Sequence, residues 1–166
     1  MDILIIDPSL VFSIGLKSAL LNSRLLKSED VITIKSDFDF NIFNLPKVDV
    51  LFIDFDFLKK DKNIEIIKSL RNKNDGFKYL ISSFTLHTID LNNLLSIKPN
   101  GIFSKKIKPA EFRIYFKRVL TKKVYIDFAA INKQIKSEID FNAHTTEKFK
   151  NVNNAYILDY ITFFNQ

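Results

Sequence analysis

The chain has 166 residues, of which 46% are hydrophobic, and its 25 Lys and Arg outnumber 19 Asp and Glu, which gives a formal net charge of +6. This length and hydrophobic content predict one folded domain with a short appendage, and they exclude a disordered chain. There are no cysteines, which excludes a disulfide framework, a thiolate zinc site and a thiol nucleophile, and the two histidines argue against a multi-histidine metal site.

The positive charge and the first residues bear on partners and location. A basic surplus can favour nucleic acid or acidic partners, but Lys, Ile, Asn and Phe are frequent throughout, as an A+T-biased coding sequence would produce. The start, MDILIIDPSL, has no basic n-region, and no apolar run reaches the roughly 18–20 residues that span a bilayer. We therefore expect a cytoplasmic protein that does not enter a membrane, and the charge alone does not predict DNA binding.

Five short apolar runs predict five β-strands. They are continuous rather than alternating, which is typical of strands that are buried on both faces of a parallel sheet. The runs are Ile3–Ile6, Val31–Ile34, Val50–Ile53, Tyr79–Ile81 and Gly101–Phe103.

Apolar residues at helical spacing lie between these runs and predict helices. Ser9 is a candidate N-cap for the first helix, and Pro109 suits the first turn of the last one. The second connection, SDFDFNIFNLPK, is polar and broken by Pro46, so its helix should be short or poorly formed. The apolar positions of the other helices are Phe12, Leu16, Ala19 and Leu20; Ile64, Ile67 and Leu70 after the candidate cap Asp61; Leu91, Leu94 and Leu95; and Phe112, Tyr115, Phe116 and Val119.

Strands and helices alternate over residues 1–124, which predicts a doubly wound α/β sheet. Glycine occurs only at positions 15, 76 and 101, so a glycine-rich phosphate loop is excluded. Over residues 125–166 the pattern changes, and we predict a helical C-terminal extension that serves as a dimerisation or output element. Its apolar faces would be Ile131, Ile135 and Ile139 after the cap Asp127, and Tyr156, Tyr160 and Phe164 in AYILDYITFF, which packs on its own domain or on another subunit.

Polar side chains stand where the predicted strands end. Asp7 closes the first strand, Asp54 the third and Ser83 the fourth, and Lys105 follows the fifth. The carboxyl ends of parallel strands meet at one edge of a sheet, where ligands bind. Two acids, a hydroxyl and a lysine would suit an aspartyl-phosphate site, in which a carboxylate attacks a phosphoryl group and the other side chains hold its oxygens. The alternative is four ordinary solvated strand ends.

Four segments resemble those of a known family: ILIIDPSLVFSIGL, VDVLFIDFDF, YLISS and GIFSKKIKPAEF. In order and spacing they are similar to receiver domains of two-component response regulators, in particular the type found in front of LuxR-like DNA-binding domains. The resemblance covers about residues 1–135. It implies a flavodoxin-like, five-stranded parallel sheet of order 2-1-3-4-5. It also implies Asp54 as the phosphoryl acceptor, Ser83 at the Ser/Thr switch position and Lys105 as the phosphate-pairing lysine.

The metal site departs from the family pattern. The family holds Mg²⁺ with two adjacent acids after the first strand and with the acceptor aspartate, and these positions are Asp7, Pro8 and Asp54 here. Because Mg²⁺ needs several hard oxygen ligands and Pro8 has no side-chain oxygen, we expect weakened Mg²⁺ binding. Lys59 and Lys60 would partly replace the metal ion, or else they point to solvent.

The switch also departs from the pattern. Ile102 stands where the family has an aromatic residue, and the neighbouring Phe103 should face the other side of the strand. An aromatic rotation coupled to Ser83 is therefore not expected. The chain is better described as an atypical, degenerate receiver.

Two functions follow as hypotheses. The first is a signalling module that binds another protein or itself, with weakened or no dependence on phosphorylation. The second is a conventional response regulator, phosphorylated on Asp54 by a histidine kinase, that controls transcription or DNA binding. No helix-turn-helix pattern is recognisable in residues 125–166, and nothing indicates an independent enzyme. The candidate partner surface, for a homodimer or an acidic protein, is Arg113, Lys117, Tyr156, Tyr160 and Phe164.

Overall fold

The computed structural model describes residues 1–36, 48–59, 63–64, 67, 71–72, 76–84, 97–121 and 125–126. In chain order the elements are β1 (Asp2–Ile6), α1 (Leu10–Asn22), β2 (Val31–Lys35), β3 (Val50–Asp54), α2 (Phe55–Leu58), β4 (Lys78–Ser83), β5 (Gly101–Ser104), α3 (Pro109–Thr121) and β6 (Tyr125–Ile126). Helices follow β1, β3 and β5 as the sequence predicts, and the predicted helical connections after β2 and β4 lie outside the described residues. Each predicted strand lies within one of β1 to β5.

The strands form one parallel sheet in the order β2-β1-β3-β4-β5-β6. Its first five members confirm the predicted flavodoxin-like order 2-1-3-4-5. The sixth strand was not predicted, because two residues are too few to show a periodic pattern. It pairs Tyr125 with Gly101 and Ile126 with Ile102, so it covers the outer edge of β5.

Helix α1 begins at the predicted cap. The backbone N–H of Phe12 donates to Ser9 Oγ at 3.3 Å, which satisfies one of the free donors of the first turn. The helix ends at Asn22, and the hydroxyl of the C-cap residue Ser23 donates to the Leu20 carbonyl at 2.6 Å. Leu16 and Leu20 are buried against the sheet, as predicted from their spacing.

The core lies on the two faces of the sheet. On the first face, α1 and α3 pack over an aromatic cluster, in which the Phe116 ring centroid lies 5.7 Å from that of Phe52. The second face carries α2 together with Ile64 and Ile67, which are helical as predicted. Its apolar side chains include Leu51, Ile53 and Ile81.

Several predictions fall on residues that the structure does not describe. They concern Pro46, Asp61, Leu70, Leu91, Leu94, Leu95, Asp127 and the two helices proposed after it. Among the described residues, no helix is long and apolar enough to cross a membrane.

The aromatic cluster predicts a large difference between two neighbouring positions of α3. Phe116 is fully buried, whereas Ile114 is 57% exposed. We expect Phe116→Ala to lower the free energy of unfolding by about 3–5 kcal/mol, because it removes a buried ring and leaves a cavity. The matched control, Ile114→Ala, should change it by about 0.5 kcal/mol or less. Urea denaturation checks both values, and similar losses would contradict the packing described.

An ion pair beside the first strand predicts that the stability of the fold depends on pH. The Met1 amino group lies 2.6 Å from Asp30 Oδ1, and their hydrogen bond lowers the pKa of Asp30 and raises that of the amino group. The pair therefore stabilises the fold above the ordinary pKa of 3.8 for Asp30, and this contribution is lost as pH falls through the lowered value. It is likewise present below 8.0, the ordinary pKa of the amino group, and is lost as pH rises through the raised value.

We accordingly expect Asp30→Asn to be less stable than the unchanged chain near neutral pH. The difference in urea midpoint should shrink towards both extremes of pH. A difference that stays constant from acid to alkaline pH would show that the ion pair is not its cause.

Candidate functional site

The carboxyl ends of the strands bring the predicted site residues to one edge of the sheet. Asp7 follows β1, Asp54 and Ser83 are the last residues of β3 and β4, and Lys105 follows β5. Asp7 is 1% exposed and Asp54 is 3% exposed, and Ser83 is also buried. They are therefore not solvated strand ends, which was the alternative interpretation of the sequence.

Lys105 lies between the two carboxylates. Its Nζ is 2.6 Å from Asp7 Oδ2 and 2.5 Å from Asp54 Oδ2, and its side chain is 3% exposed. Buried carboxylates are costly unless a partner compensates their charge. One ammonium ion serves both acids here, so the three side chains have a formal charge of −1.

Backbone amides hold the remaining carboxylate oxygens. The N–H of Ser9 donates to Asp7 Oδ1 at 2.8 Å, and the N–H of Phe57 donates to Asp54 Oδ1 at 3.1 Å. Asp54 is thus the N-cap of α2. Asp7 Oδ2 accepts no hydrogen bond among the described residues, and its contact with Lys105 Nζ is an ion pair. All four oxygens have a partner within the chain.

Two aromatic rings face the ammonium group of Lys105. Its Nζ lies 5.0 Å from the ring centroid of Phe12 and 5.3 Å from that of Phe84, within the range of cation–π attraction. Phe84 is 59% exposed, whereas the side chain of Lys105 is 3% exposed. Neither ring was among the site residues predicted from the sequence. A signal was available for Phe84, because a large aromatic residue directly follows the candidate site residue Ser83.

Strand register separates the two serines of β4. Ser82, rather than Ser83, is the neighbour of Asp54 in the sheet and is also buried. Ser83 pairs with Ser104 of β5, and its carbonyl accepts the backbone N–H of Lys105 at 2.8 Å. Ser83 therefore lies next to Lys105 along the backbone, and Ser82 is a site neighbour that the sequence analysis did not identify.

The residues at this edge do not fit a Mg²⁺ ion in the arrangement observed. Magnesium demands near-octahedral coordination by oxygen, whereas the four carboxylate oxygens already contact amides or the ammonium group of Lys105. Pro8 is exposed and has no side-chain oxygen. In the part of the chain that the structure describes, no group of three or more His, Cys, Asp and Glu could hold a metal ion.

Lys59 does not occupy the pocket. Its Nζ lies 3.5 Å from Asp56 Oδ1 and 4.6 Å above the ring of Phe55, and about half of its side chain is exposed. Lys60 lies outside the described residues. The positive charge beside the acids comes instead from Lys105, which the sequence analysis identified only as a phosphate-pairing residue.

The switch position agrees with the sequence prediction. Ile102 is fully buried in the apolar cluster on the second face of the sheet, while Phe103 belongs to the cluster on the first face. The Phe103 ring packs there against Tyr115, with centroids 5.3 Å apart. An aromatic side chain is therefore absent from position 102, and its neighbour points the other way.

Of the candidate partner surface, the structure describes the two residues on α3. Arg113 and Lys117 are both exposed, and they lie opposite the buried Phe112 and Phe116. Lys106, Lys108 and Arg118 are exposed beside them, so the outer side of α3 is basic. Tyr156, Tyr160 and Phe164 lie outside the described residues.

Comparison with known proteins gives structural likeness only. No protein-family model matches the sequence, and no curated protein does. The structure is similar to the isolated receiver domain of RcsB from Salmonella enterica serovar Typhimurium, determined in the presence of the phosphomimetic BeF3⁻. The TM-score is 0.62 and the identity 17%, over 78% of this chain and 95% of that one.

Two further structures show the same likeness. A signal receiver domain of a two-component histidine kinase from Clostridium thermocellum has a TM-score of 0.60 and 16% identity, over 73% of this chain and 98% of that one. A response regulator from Thermotoga maritima has a TM-score of 0.58 and 14% identity, over 73% of this chain and 98% of that one. The chain therefore has the fold of response-regulator receiver domains.

Proposed function

We propose that this chain is an atypical receiver module that acts in signal transduction through protein–protein contacts, with weakened or no dependence on phosphorylation. One observation carries the proposal: the Lys105 ammonium lies within 2.6 Å of both buried carboxylates. The acidic pocket has an internal counter-ion, and this supports a pocket that does not depend on a metal ion for its assembly.

The same contacts oppose phosphorylation of Asp54. Its carboxylate would have to attack a phosphoryl group whose negative oxygens need cationic stabilisation as charge develops. In the structure Asp54 Oδ2 is paired with Lys105, and Asp54 Oδ1 accepts the N–H of Phe57. The ring of Phe84 also lies 5.3 Å from the ammonium group of Lys105. A phosphoryl donor would have to displace these contacts, and Pro8 adds no metal ligand to help it.

The basic side of α3 supports an acidic protein partner. Arg113 and Lys117 are one helical turn apart and both exposed, and opposite charge steers association between proteins. A second copy of this chain is the alternative partner for this surface, and Tyr156, Tyr160 and Phe164 would then contribute to the homodimer contact. DNA is a weaker proposal, since residues 125–166 show no helix-turn-helix pattern.

The second candidate function is the conventional response regulator. The buried arrangement of Asp54, Lys105 and Ser83 at one edge of a receiver fold favours it. A histidine kinase would then phosphorylate Asp54, and Asp7 and Asp54 would have to leave Lys105 to hold Mg²⁺. Phosphorylation would control transcription or DNA binding.

Intact-mass measurement after incubation with a small phosphodonor decides between the two functions. We expect no phosphate-sized gain with or without Mg²⁺, in a sample shown by circular dichroism to be folded. The variant Asp54→Asn tests the acceptor, and Asp56→Asn is a matched control, because Asp56 is 81% exposed two residues further on. A gain that requires Mg²⁺, disappears in Asp54→Asn and persists in Asp56→Asn would overturn the proposal in favour of the conventional regulator.

The internal counter-ion makes a separate prediction about stability. Lys105→Gln should lower the free energy of unfolding by about 3–5 kcal/mol, because it leaves two buried carboxylates without a cation. The matched control, Lys106→Gln, alters an exposed lysine and should change it by about 0.5 kcal/mol or less. Adding Asp7→Asn to Lys105→Gln should recover part of the loss. Equal stability of the two single variants in urea would show that Lys105 does not compensate the acids.

A further inference from the structure

Strand β2 lies at one edge of the sheet, and among the described residues no strand pairs with its outer side. The N–H of Val31 donates to the Met1 carbonyl, and the Lys35 carbonyl accepts an N–H from the residue after β1. The odd-numbered residues of β2 therefore bond to β1. Because backbone groups alternate in direction along a strand, the N–H and C=O groups of Ile32 and Ile34 point away from the sheet. Such a row of outward groups is a template for another strand.

This edge has few of the features with which proteins prevent strand addition. Proline, bulges, charged side chains and very short strands are the usual ones. The sequence of β2 is VITIK, which has no proline and carries its charge on the last residue, Lys35. At the other end of the described sheet lies β6, which is two residues long and offers few groups to pair. Strand β2 is therefore the edge that is suited to pair with another strand.

Large apolar side chains are exposed beside this edge. Seven are exposed among the described residues, and five of the seven lie on α1 and β2. They are Leu10, Val11, Ile14 and Leu21 on α1, and Val31 on β2. We call the four residues on the helix the exposed side of α1. Apolar side chains that are grouped in this way mark a contact site, whereas single ones are ordinary.

The exposed side of α1 is turned towards the β2 edge. Helix α1 contacts β2 and α3, and its Phe12 ring stacks on that of Phe103 in β5, with centroids 6.5 Å apart. At about 100° per residue, Leu10, Ile14 and Leu21 lie roughly 160–200° around the helix from Phe12. They therefore face away from β5. Because β2 and β5 lie on opposite sides of β1 in the sheet, this direction is that of β2.

We propose that two copies of this chain form a dimer through β2, paired in antiparallel register about Thr33, with the exposed sides of α1 in contact. In this register Ile32 of one copy exchanges both backbone hydrogen bonds with Ile34 of the second copy, and the two-fold axis repeats the exchange. The outward groups of both residues then have partners. A two-fold axis normal to the sheet leaves both α1 helices on the same face, one on each side of the junction.

The side chains of β2 favour a second copy over another protein. Ile32 and Ile34 share the first face of the sheet, so each would lie opposite the other in an apolar cross-strand pair. Thr33 would meet its own counterpart on the second face. The charges are complementary as well, because Lys35 ends the strand and Glu29, which is 66% exposed, precedes it by two residues. Antiparallel pairing brings Lys35 of each copy near Glu29 of the other.

The dimer is independent of the proposed function. It uses β2 and α1, and it leaves the basic side of α3 for an acidic partner. It also needs no change at Asp54. A phosphate-sized gain on Asp54 would overturn the proposed function and leave the dimer unaffected, whereas loss of the dimer would not alter the result of the phosphodonor experiment.

A single cysteine tests the register, because the chain has no cysteines of its own. In the proposed dimer the Cα atoms of the two Thr33 residues are about 4.5 Å apart, which suits a disulfide. Those of the two Val31 residues are roughly 14 Å apart, since the strand carries each one four residues past its counterpart. Under mild oxidation at micromolar protein, we expect about fivefold more disulfide-linked dimer in Thr33→Cys than in the matched Val31→Cys.

Intact mass and non-reducing electrophoresis measure the two yields, and circular dichroism shows whether both variants are folded. A yield in Thr33→Cys that is no higher than in Val31→Cys would overturn the proposed register. This control is stringent, because Val31 is 55% exposed and lies on the same strand and the same face as Thr33.

Sedimentation velocity gives a second measurement without cysteines. We expect the unchanged chain to dimerise, and Ile14→Asp to raise the dissociation constant of the dimer about tenfold or more, because it places two charges in an apolar contact. The matched Ile114→Asp should leave the constant unchanged, since Ile114 is 57% and Ile14 is 55% exposed. A chain that stays monomeric, or a dimer that the two variants affect equally, would overturn the proposal.

Discussion

The ion pairs of Lys105 with Asp7 and Asp54 are the interaction on which the rest of the structure depends. Three elements supply these side chains: the ends of β1 and β3 and the turn after β5. Removing the ammonium would leave two buried charges without compensation, a cost that few single contacts match. These ion pairs therefore depend on the register of the central strands, because a slip of one residue would move the carboxylates away from the ammonium group.

The pocket and the exposed side of α1 differ in character. At the pocket, one ammonium group inside the chain compensates part of the charge of two carboxylates, and the rings of Phe12 and Phe84 lie beside it. On α1, the large apolar side chains of Leu10, Val11, Ile14 and Leu21 are exposed. A ligand of the two carboxylates would have to displace contacts that the chain already makes, whereas the exposed side of α1 offers apolar surface directly.

Much of the fold could be predicted from the sequence because its signals are local. A continuous buried run marks each of β1 to β5, and Ser9 and the spacing from Phe112 to Val119 mark the two long helices. Strand β6 could not be predicted, because Tyr125 and Ile126 form no pattern by themselves. The order of the strands came from resemblance to a family, since periodicity does not say which strands are neighbours.

The sequence by itself determined which side chains lie at the carboxyl ends of the parallel strands. In a parallel sheet, an acid, a serine or a lysine that closes a buried strand lies at the edge formed by the carboxyl ends of the strands. Only the tertiary structure decided how these side chains pair. It placed Lys105, and not Lys59, between the acids, set Ser82 beside Asp54, and laid Phe84 over the ammonium group. The physical reason is that burial follows from a few neighbouring residues, whereas pairing depends on the mutual register of strands that are far apart in the chain.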